Sequence, residues 1–249
     1  MNKKSFNLPG QSYWDKSYLN LELQIVSEQD KVRQWIEKFF DKAEGDCLEI
    51  GCFPGRYLAV FGKLGYRLYG VDLTPRVEQD LPCWLEDCGY KVGEFCKLNF
   101  KDFKSKKQYD IVCSFGFIEH FIDWQEILKK HALFVKDEGY LVISAPNFRG
   151  LIQRALHILL DRKNYNRHYI PSMNTDLWKD IVQNFGFDVV YCGYFGGFDF
   201  WADNQSKNIL QMMILKLINR LSPVLKKLPK DKMIYAPFCG LIAKKRTPN

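Results

Sequence analysis

Two carboxylates stand at the ends of apolar runs, beside a glycine turn. Glu49 lies in Leu48-Glu49-Ile50-Gly51-Cys52-Phe53-Pro54-Gly55, and Asp72 closes Tyr69-Gly70-Val71-Asp72. A glycine turn with an acid 21 residues beyond Gly51 invites a dinucleotide site, in which the acid binds ribose hydroxyls. The glycine spacing argues against it, because a G-x-G-x-x-G fingerprint counted from Gly51 needs glycine where Phe53 and Arg56 stand. A pyrophosphate also needs free amides at a helix start, whereas Phe53 adds bulk there and Pro54 removes one N–H. A ribose without phosphate, carried on a cation, fits the acids better. His120, in Ile118-Glu119-His120-Phe121, has the near-neutral titration of a base that takes a proton from a phenol or sugar hydroxyl. Equally, Glu119-His120 orders the turn into the next helix. His168, in Arg167-His168-Tyr169-Ile170-Pro171, is the second histidine of interest, with a structural role as its alternative. His131 and His157 sit in helical patterns and read as structural.

These residues need a scaffold, and the pattern around them alternates. Apolar runs read as buried strands at Cys47–Cys52, Leu68–Leu73, Phe95–Asn99, Ile111–Phe115 and Tyr140–Ala145, and strand-like segments Asp188–Phe195 and Phe238–Ala243 finish the chain. Helical patterns fill most gaps. Ser27-x-x-Asp30 resembles a capping box opening a helix with Val32, Ile36, Phe39 and Phe40 on one face. Others follow Gly55, run from Trp124 to Phe134 with Asp123 and Glu126 as N-cap and N3, and carry Leu177 to Phe185. Strands apolar on both faces, alternating with helices, call for a parallel sheet covered on each side. Ligands on such sheets bind beyond the carboxyl ends of the strands. Glu49, Asp72 and His120 all fall there.

Composition narrows the class. The chain has 249 residues, 47% hydrophobic and 26% charged, enough for a sizeable core and unlike a disordered chain. Its net charge of +7 is unevenly placed: residues 206–249 carry ten Lys/Arg against one acid, a local +9, which leaves −2 for residues 1–205. A body that coats nucleic acid is therefore not expected. Eight cysteines without a Cys-x-x-Cys pair read as small apolar side chains of a reducing cytosol. The start lacks the apolar run of a secretory signal, and the most apolar helix, Asn208 to Leu221, is short and broken by Lys216 and Arg220. A soluble, cytoplasmic protein is expected.

The strand-end segments together resemble class I S-adenosylmethionine-dependent methyltransferases. Leu48 to Gly55 is similar to motif I of that family, whose usual form is L-E-I-G-C-G-x-G, and Gly70-Val71-Asp72 resembles its acidic second strand. Tyr109 to Phe121, with its Glu-His ending, resembles the fourth strand, and Gly139 to Asn147 the fifth with a following Pro-Asn. The motifs cover about residues 45–148 in order. The resemblance implies a three-layer, Rossmann-like α/β fold: seven strands, mostly parallel with the last antiparallel, and helices on both faces. It implies an N-terminal arm and helix over 1–44, a methyltransferase domain over 45–249, and lid-like insertions at about 148–175 and 196–232.

Roles follow by position. Gly51, Cys52, Phe53 and Gly55 would wrap the methionine end of S-adenosylmethionine, with Glu49 at its ammonium and Asp72, beside Leu73, on the ribose hydroxyls. Asn99 stands where the family often has an acid before the adenine, and Phe100 would pack on the ring. Ser114 and Phe115 would offer backbone carbonyls. Phe53 departs from the family's middle glycine. It either narrows the pocket or turns outward over the cofactor.

The acceptor is approached by elimination. Adenine and glutamine enzymes of the family carry an Asn/Asp-Pro-Pro-aromatic tetrad where this chain has Ser114-Phe115-Gly116-Phe117, and the only Pro-Cys, Pro82-Cys83, follows the wrong strand for cytosine chemistry. Metal-dependent catechol enzymes cluster acids near the fourth strand; here Asp110 lies at its wrong end and Asp123 reads as a helix cap, so no metal is expected. A small-molecule or glycan acceptor, methylated at oxygen with His120 as base and His168 and Tyr169 lining its pocket, is the expectation. Two alternatives stand beside it: an RNA methyltransferase using the basic tail, and a non-catalytic methyltransferase-like binding protein. Tyr13 and Trp14, and the aromatic run Tyr194 to Trp201, either close the pocket or are ordinary packing. The nearly all-apolar helix around Met212 and Leu215 wants a partner: a lid position, a homodimer face or a membrane, with its lysines suited to anionic lipid or a phosphorylated carrier.

Overall fold

The computed structural model describes residues 8–203, 206–225, 227–229 and 231–247. Two helices, α1 (Gln11–Tyr18) and α2 (Lys31–Phe39), precede the alternating region. It runs β1 (Asp46–Ile50), α3 (Leu58–Leu64), β2 (Arg67–Asp72), α4 (Arg76–Asp87), β3 (Val92–Lys97), β4 (Tyr109–Phe115), α5 (Trp124–Leu133) and β5 (Val135–Pro146). Then come α6 (Leu151–Leu160), α7 (Arg162–Asn166), α8 (Thr175–Asn184), β6 (Phe187–Phe195), α9 (Ile209–Leu225) and β7 (Phe238–Lys245). One seven-stranded sheet results, in the order β3-β2-β1-β4-β5-β7-β6. β1 pairs in parallel with β2 and β4, β2 with β3, and β4 with β5, whereas β7 runs antiparallel to both β5 and β6. The order reverses between β1 and β4, which opens a crevice beyond their carboxyl ends.

Alternation along the central strands divides the core in two. Leu48, Ile50 and Val112 face one side with Trp124, Ile127 and Leu128 of α5 and Trp178 and Val182 of α8. Cys47, Ile111 and Cys113 face the other with Trp35 and Ile36 of α2, Phe61 of α3 and Leu81 and Leu85 of α4. Each central strand is thus buried on both faces, as a helix-covered parallel sheet requires. α2 belongs to this core: Trp35 stacks on Phe195 of β6 at 4.5 Å.

Three local expectations are corrected. The first cap is Asp30, which accepts from the backbone N–H of Val32 and Arg33; the Ser27 hydroxyl turns instead to the Gln29 side chain. Asp123 precedes α5 but caps nothing with its side chain, which pairs with Lys101 Nζ at 2.6 Å. The third strand ends at Lys97 and not at Asn99, because Asn99 turns the chain by accepting from the Lys101 and Asp102 amides. No helix among the described residues is long and apolar enough to cross a membrane. Lys226 and Lys230 of the basic segment lie outside the described residues.

Candidate active site

A cavity of about 820 Å³ fills the crevice. Its wall includes Glu49, Gly51, Cys52, Phe53, Gly55, Asp72, Leu73, Phe100, Phe115, His120 and His168. Residues from positions 49 to 168 are thereby brought together by the carboxyl ends of β1, β2 and β4. Three other candidates stand elsewhere. Asn99 makes the turn after β3. Ser114 is buried with its Oγ 3.1 Å from His131 Nε2. Tyr169 donates its backbone N–H to the Glu119 carbonyl at 2.7 Å and packs against the core.

The turn after β1 needs its glycines. Gly51 has φ +67, and a Cβ there would lie 2.3 Å from the Phe117 ring; Gly55 has φ +79, with Leu81 at the same 2.3 Å. Glu49 is 4% exposed, and its Oε2 has no hydrogen-bond partner. Burial pushes its carboxyl well above the usual range, while the Arg56 charge opposes that. A buried, unsatisfied acid facing a cavity suits a ligand ammonium. Asp72 Oδ1 accepts from Thr74 N at 3.0 Å and Oδ2 from Phe53 N at 3.1 Å. Burial raises its pKa, and those two amide bonds hold it back. The carboxylate ends β2 at the cavity wall, where it can accept from neighbouring ligand hydroxyls.

Phe53 does not project as a plug. Its ring lies 4.9 Å from Tyr18, with the Arg76 guanidinium over it at 5.0 Å. Arg76 Nη1 also donates to the carbonyls of Tyr18 and Leu21, at 2.6 and 2.9 Å. Phe53 and Arg76 thereby seat the N-terminal arm, and Gln11, Trp14, Tyr18 and Leu21 of that arm line the cavity. Nothing in the spacing marks Tyr18 or Arg76, since the arm's contact with α4 bridges more than fifty residues.

The other end of the cavity is built on the 3₁₀ turn Ile118–His120 after β4. His120 Nδ1 lies 3.3 Å from the Arg167 carbonyl, and His168 Nδ1 lies 2.7 Å from that of Asn164. Carbonyls only accept, so both Nδ1 atoms carry hydrogen and both Nε2 atoms are bare. The two rings are 5.0 Å apart, and Trp14 lies 4.9 Å from His120. Burial holds His120 down at about 4 and His168 well below its ordinary value, and lifts Glu119 to about 8. Trp201 and Phe238 line the cavity as well. Asp110 lies at the opposite end of β4, paired with Lys136 at 2.9 Å and the Asp46 amide at 2.7 Å.

Residues 26–191 match the family described as a methyltransferase domain, and the chain belongs to that family. The fold is that of class I methyltransferases, and S-adenosylmethionine is the cofactor. A SAM-dependent methyltransferase from Archaeoglobus fulgidus is similar in structure (21% identity, 86% of this chain and 93% of that chain, TM-score 0.54). So is magnesium protoporphyrin IX methyltransferase from Synechocystis PCC 6803, solved with S-adenosylhomocysteine (12% identity, 94% and 93%, TM-score 0.55). N-methyltransferase NodS from Bradyrhizobium japonicum WM9, also in complex with S-adenosylhomocysteine, shares 12% identity over 87% and 86% of the two chains, with TM-score 0.50. No curated protein matches the chain in sequence.

Proposed function

We propose that the protein is a cytoplasmic enzyme that methylates a hydroxyl of a small molecule or glycan. The observation that carries this reading is one cavity with Glu49 and Asp72 at one end and the imidazoles of His120 and His168 at the other. S-adenosylmethionine supplies, when bound, a methyl group on a sulfonium that departs as a neutral thioether. Glu49 receives the ammonium, Asp72 grips the two ribose hydroxyls, and the glycine turn at Gly51–Gly55 lets the backbone approach. Phe100 packs beside the base, and Phe115 offers its backbone carbonyl at the end of β4. The acceptor hydroxyl faces the bare Nε2 of His120, between Trp14 and His168. Trp14 and Tyr18 exclude water from above, which favours in-line attack in a dry site.

Calorimetry with S-adenosylhomocysteine tests the cofactor end. Wild-type protein binds, and Asp72→Ala weakens binding at least tenfold, the loss of a charged carboxylate with two hydroxyl partners. Absent binding, or binding indifferent to Asp72→Ala, overturns the reading.

The basic C-terminal segment is read as a contact for anionic lipid or a phosphorylated carrier. What supports this is α9, which exposes Ile209, Leu210, Met213, Leu217, Leu221 and Val224 beside the basic Lys216 and Arg220.

A further inference from the structure

The acceptor end holds more donors than one proton transfer uses. The carboxylate of Glu119 and the ring nitrogens of His120 and His168 offer ligand atoms that all lie within 4.8 Å of one another. Each imidazole gives its Nδ1–H to a backbone carbonyl, Arg167 for His120 and Asn164 for His168. That is the outer support that metal-bound histidines have, with Nε2 left as the ligand. Glu119 is 1% exposed, and its Oε2 has no hydrogen-bond partner. A buried carboxylate oxygen without a donor calls for a cation or a donor from outside the chain. The three residues come from two segments, the turn after β4 and the stretch after α7, which the Tyr169 amide ties together on the Glu119 carbonyl. All three line the cavity.

We propose that Glu119, His120 and His168 bind a first-row divalent transition metal ion at the acceptor end of the cavity. This deepens the proposed function and rests on its placement of the acceptor. Two imidazoles and one carboxylate suit Zn²⁺, Fe²⁺ or Mn²⁺, whereas Mg²⁺ and Ca²⁺ take oxygen ligands. Donors on a shared ion lie roughly 3–4 Å apart, so small side-chain rotations close the set. Three protein ligands leave positions open for substrate. With the ion in place His120 is a ligand and not the base: a hydroxyl acceptor bound there ionises on the metal, and its proton passes to solvent before the site closes. The freed oxygen pair forms the O–C bond as the S–C bond breaks and its electrons stay on sulfur. A neutral amine already has its nucleophilic lone pair, whereas a hydroxyl gains most from ionising on the metal, so the site favours oxygen. The distance along the chain hides this set: His168 follows His120 by 48 residues, and the acids expected to cluster near the fourth strand are absent.

The test uses tag-free, full-length protein stripped with chelator, then titrated with Zn²⁺ or Mn²⁺ chloride in calorimetry. One ion per chain is expected, with affinity falling at least tenfold in His168→Ala and in Glu119→Gln. S-adenosylhomocysteine titrations of the same samples report folding and the cofactor end. Co²⁺ as a probe should give visible d–d bands without thiolate charge transfer. If S-adenosylhomocysteine binds but no ion does, the metal site falls and the methyltransferase reading stands. If neither binds, both fall. Ion binding unchanged in both variants, or a thiolate band, places the metal elsewhere and overturns the proposal.

Discussion

His131 shows how one side chain fixes the tautomer of a core. Its Nδ1–H goes to the Ile127 carbonyl at 2.7 Å, so Nε2 accepts from Ser114. Burial lowers its pKa to about 4 from the ordinary 6.5. The unfolded chain therefore binds the proton more readily, and His131's contribution is complete above pH 6.5 and lost as pH falls through 4. Urea unfolding should show wild type losing about 2 kcal/mol more than His131→Gln between about pH 7 and pH 5. The buried His157, lowered in the same direction, adds to the acid sensitivity of both proteins. At this scale Glu49 and Asp72 were legible, because an acid ending an apolar run is visible in the spacing. The pairing of Ser114 with His131 was not, since it depends on how α5 lies across β4.

The N-terminal arm is held by one guanidinium and one ring. Arg76 also pairs with Asp80 one turn along α4, so its planar head is oriented before it meets the arm. Arg76→Ala should release α1 and weaken S-adenosylhomocysteine binding roughly tenfold, the loss of two hydrogen bonds from a charged donor. Limited proteolysis checks it: cleavage near Tyr18 to Leu21 should quicken, while the sheet core resists. Strands were legible as apolar runs because the central ones are buried on both faces. Their ends and the helix caps were less so. Ser27 and Asp30 are both good cap residues, and the contact of α2 with the core selects Asp30.

Across the molecule, charge and apolar exposure concentrate at one end of the chain. Gln211, Ile214, Leu215 and Ile218 of α9 are half-buried, and Gln211 anchors the helix to the Leu159 carbonyl at 2.9 Å. The opposite stripe is apolar and exposed, with Lys216 and Arg220 at its side. Vesicles of mixed neutral and anionic lipid should sediment the protein in low salt, less so in high salt. The double substitution Leu217→Asp and Leu221→Asp should abolish this and leave S-adenosylhomocysteine binding intact. The charge imbalance was plain in the composition, whereas the inward stripe emerges only once α9 lies beside α6.

The seat of Tyr18 on Phe53 and Arg76 also orders events in time. Gln11, Trp14, Tyr18 and Leu21 of the arm line the same cavity as the proposed cofactor residues, so lifting of the arm is expected to gate departure of the spent donor. Rapid-quench kinetics should then show a first methyl transfer faster than every later cycle, and the burst should vanish in Arg76→Ala.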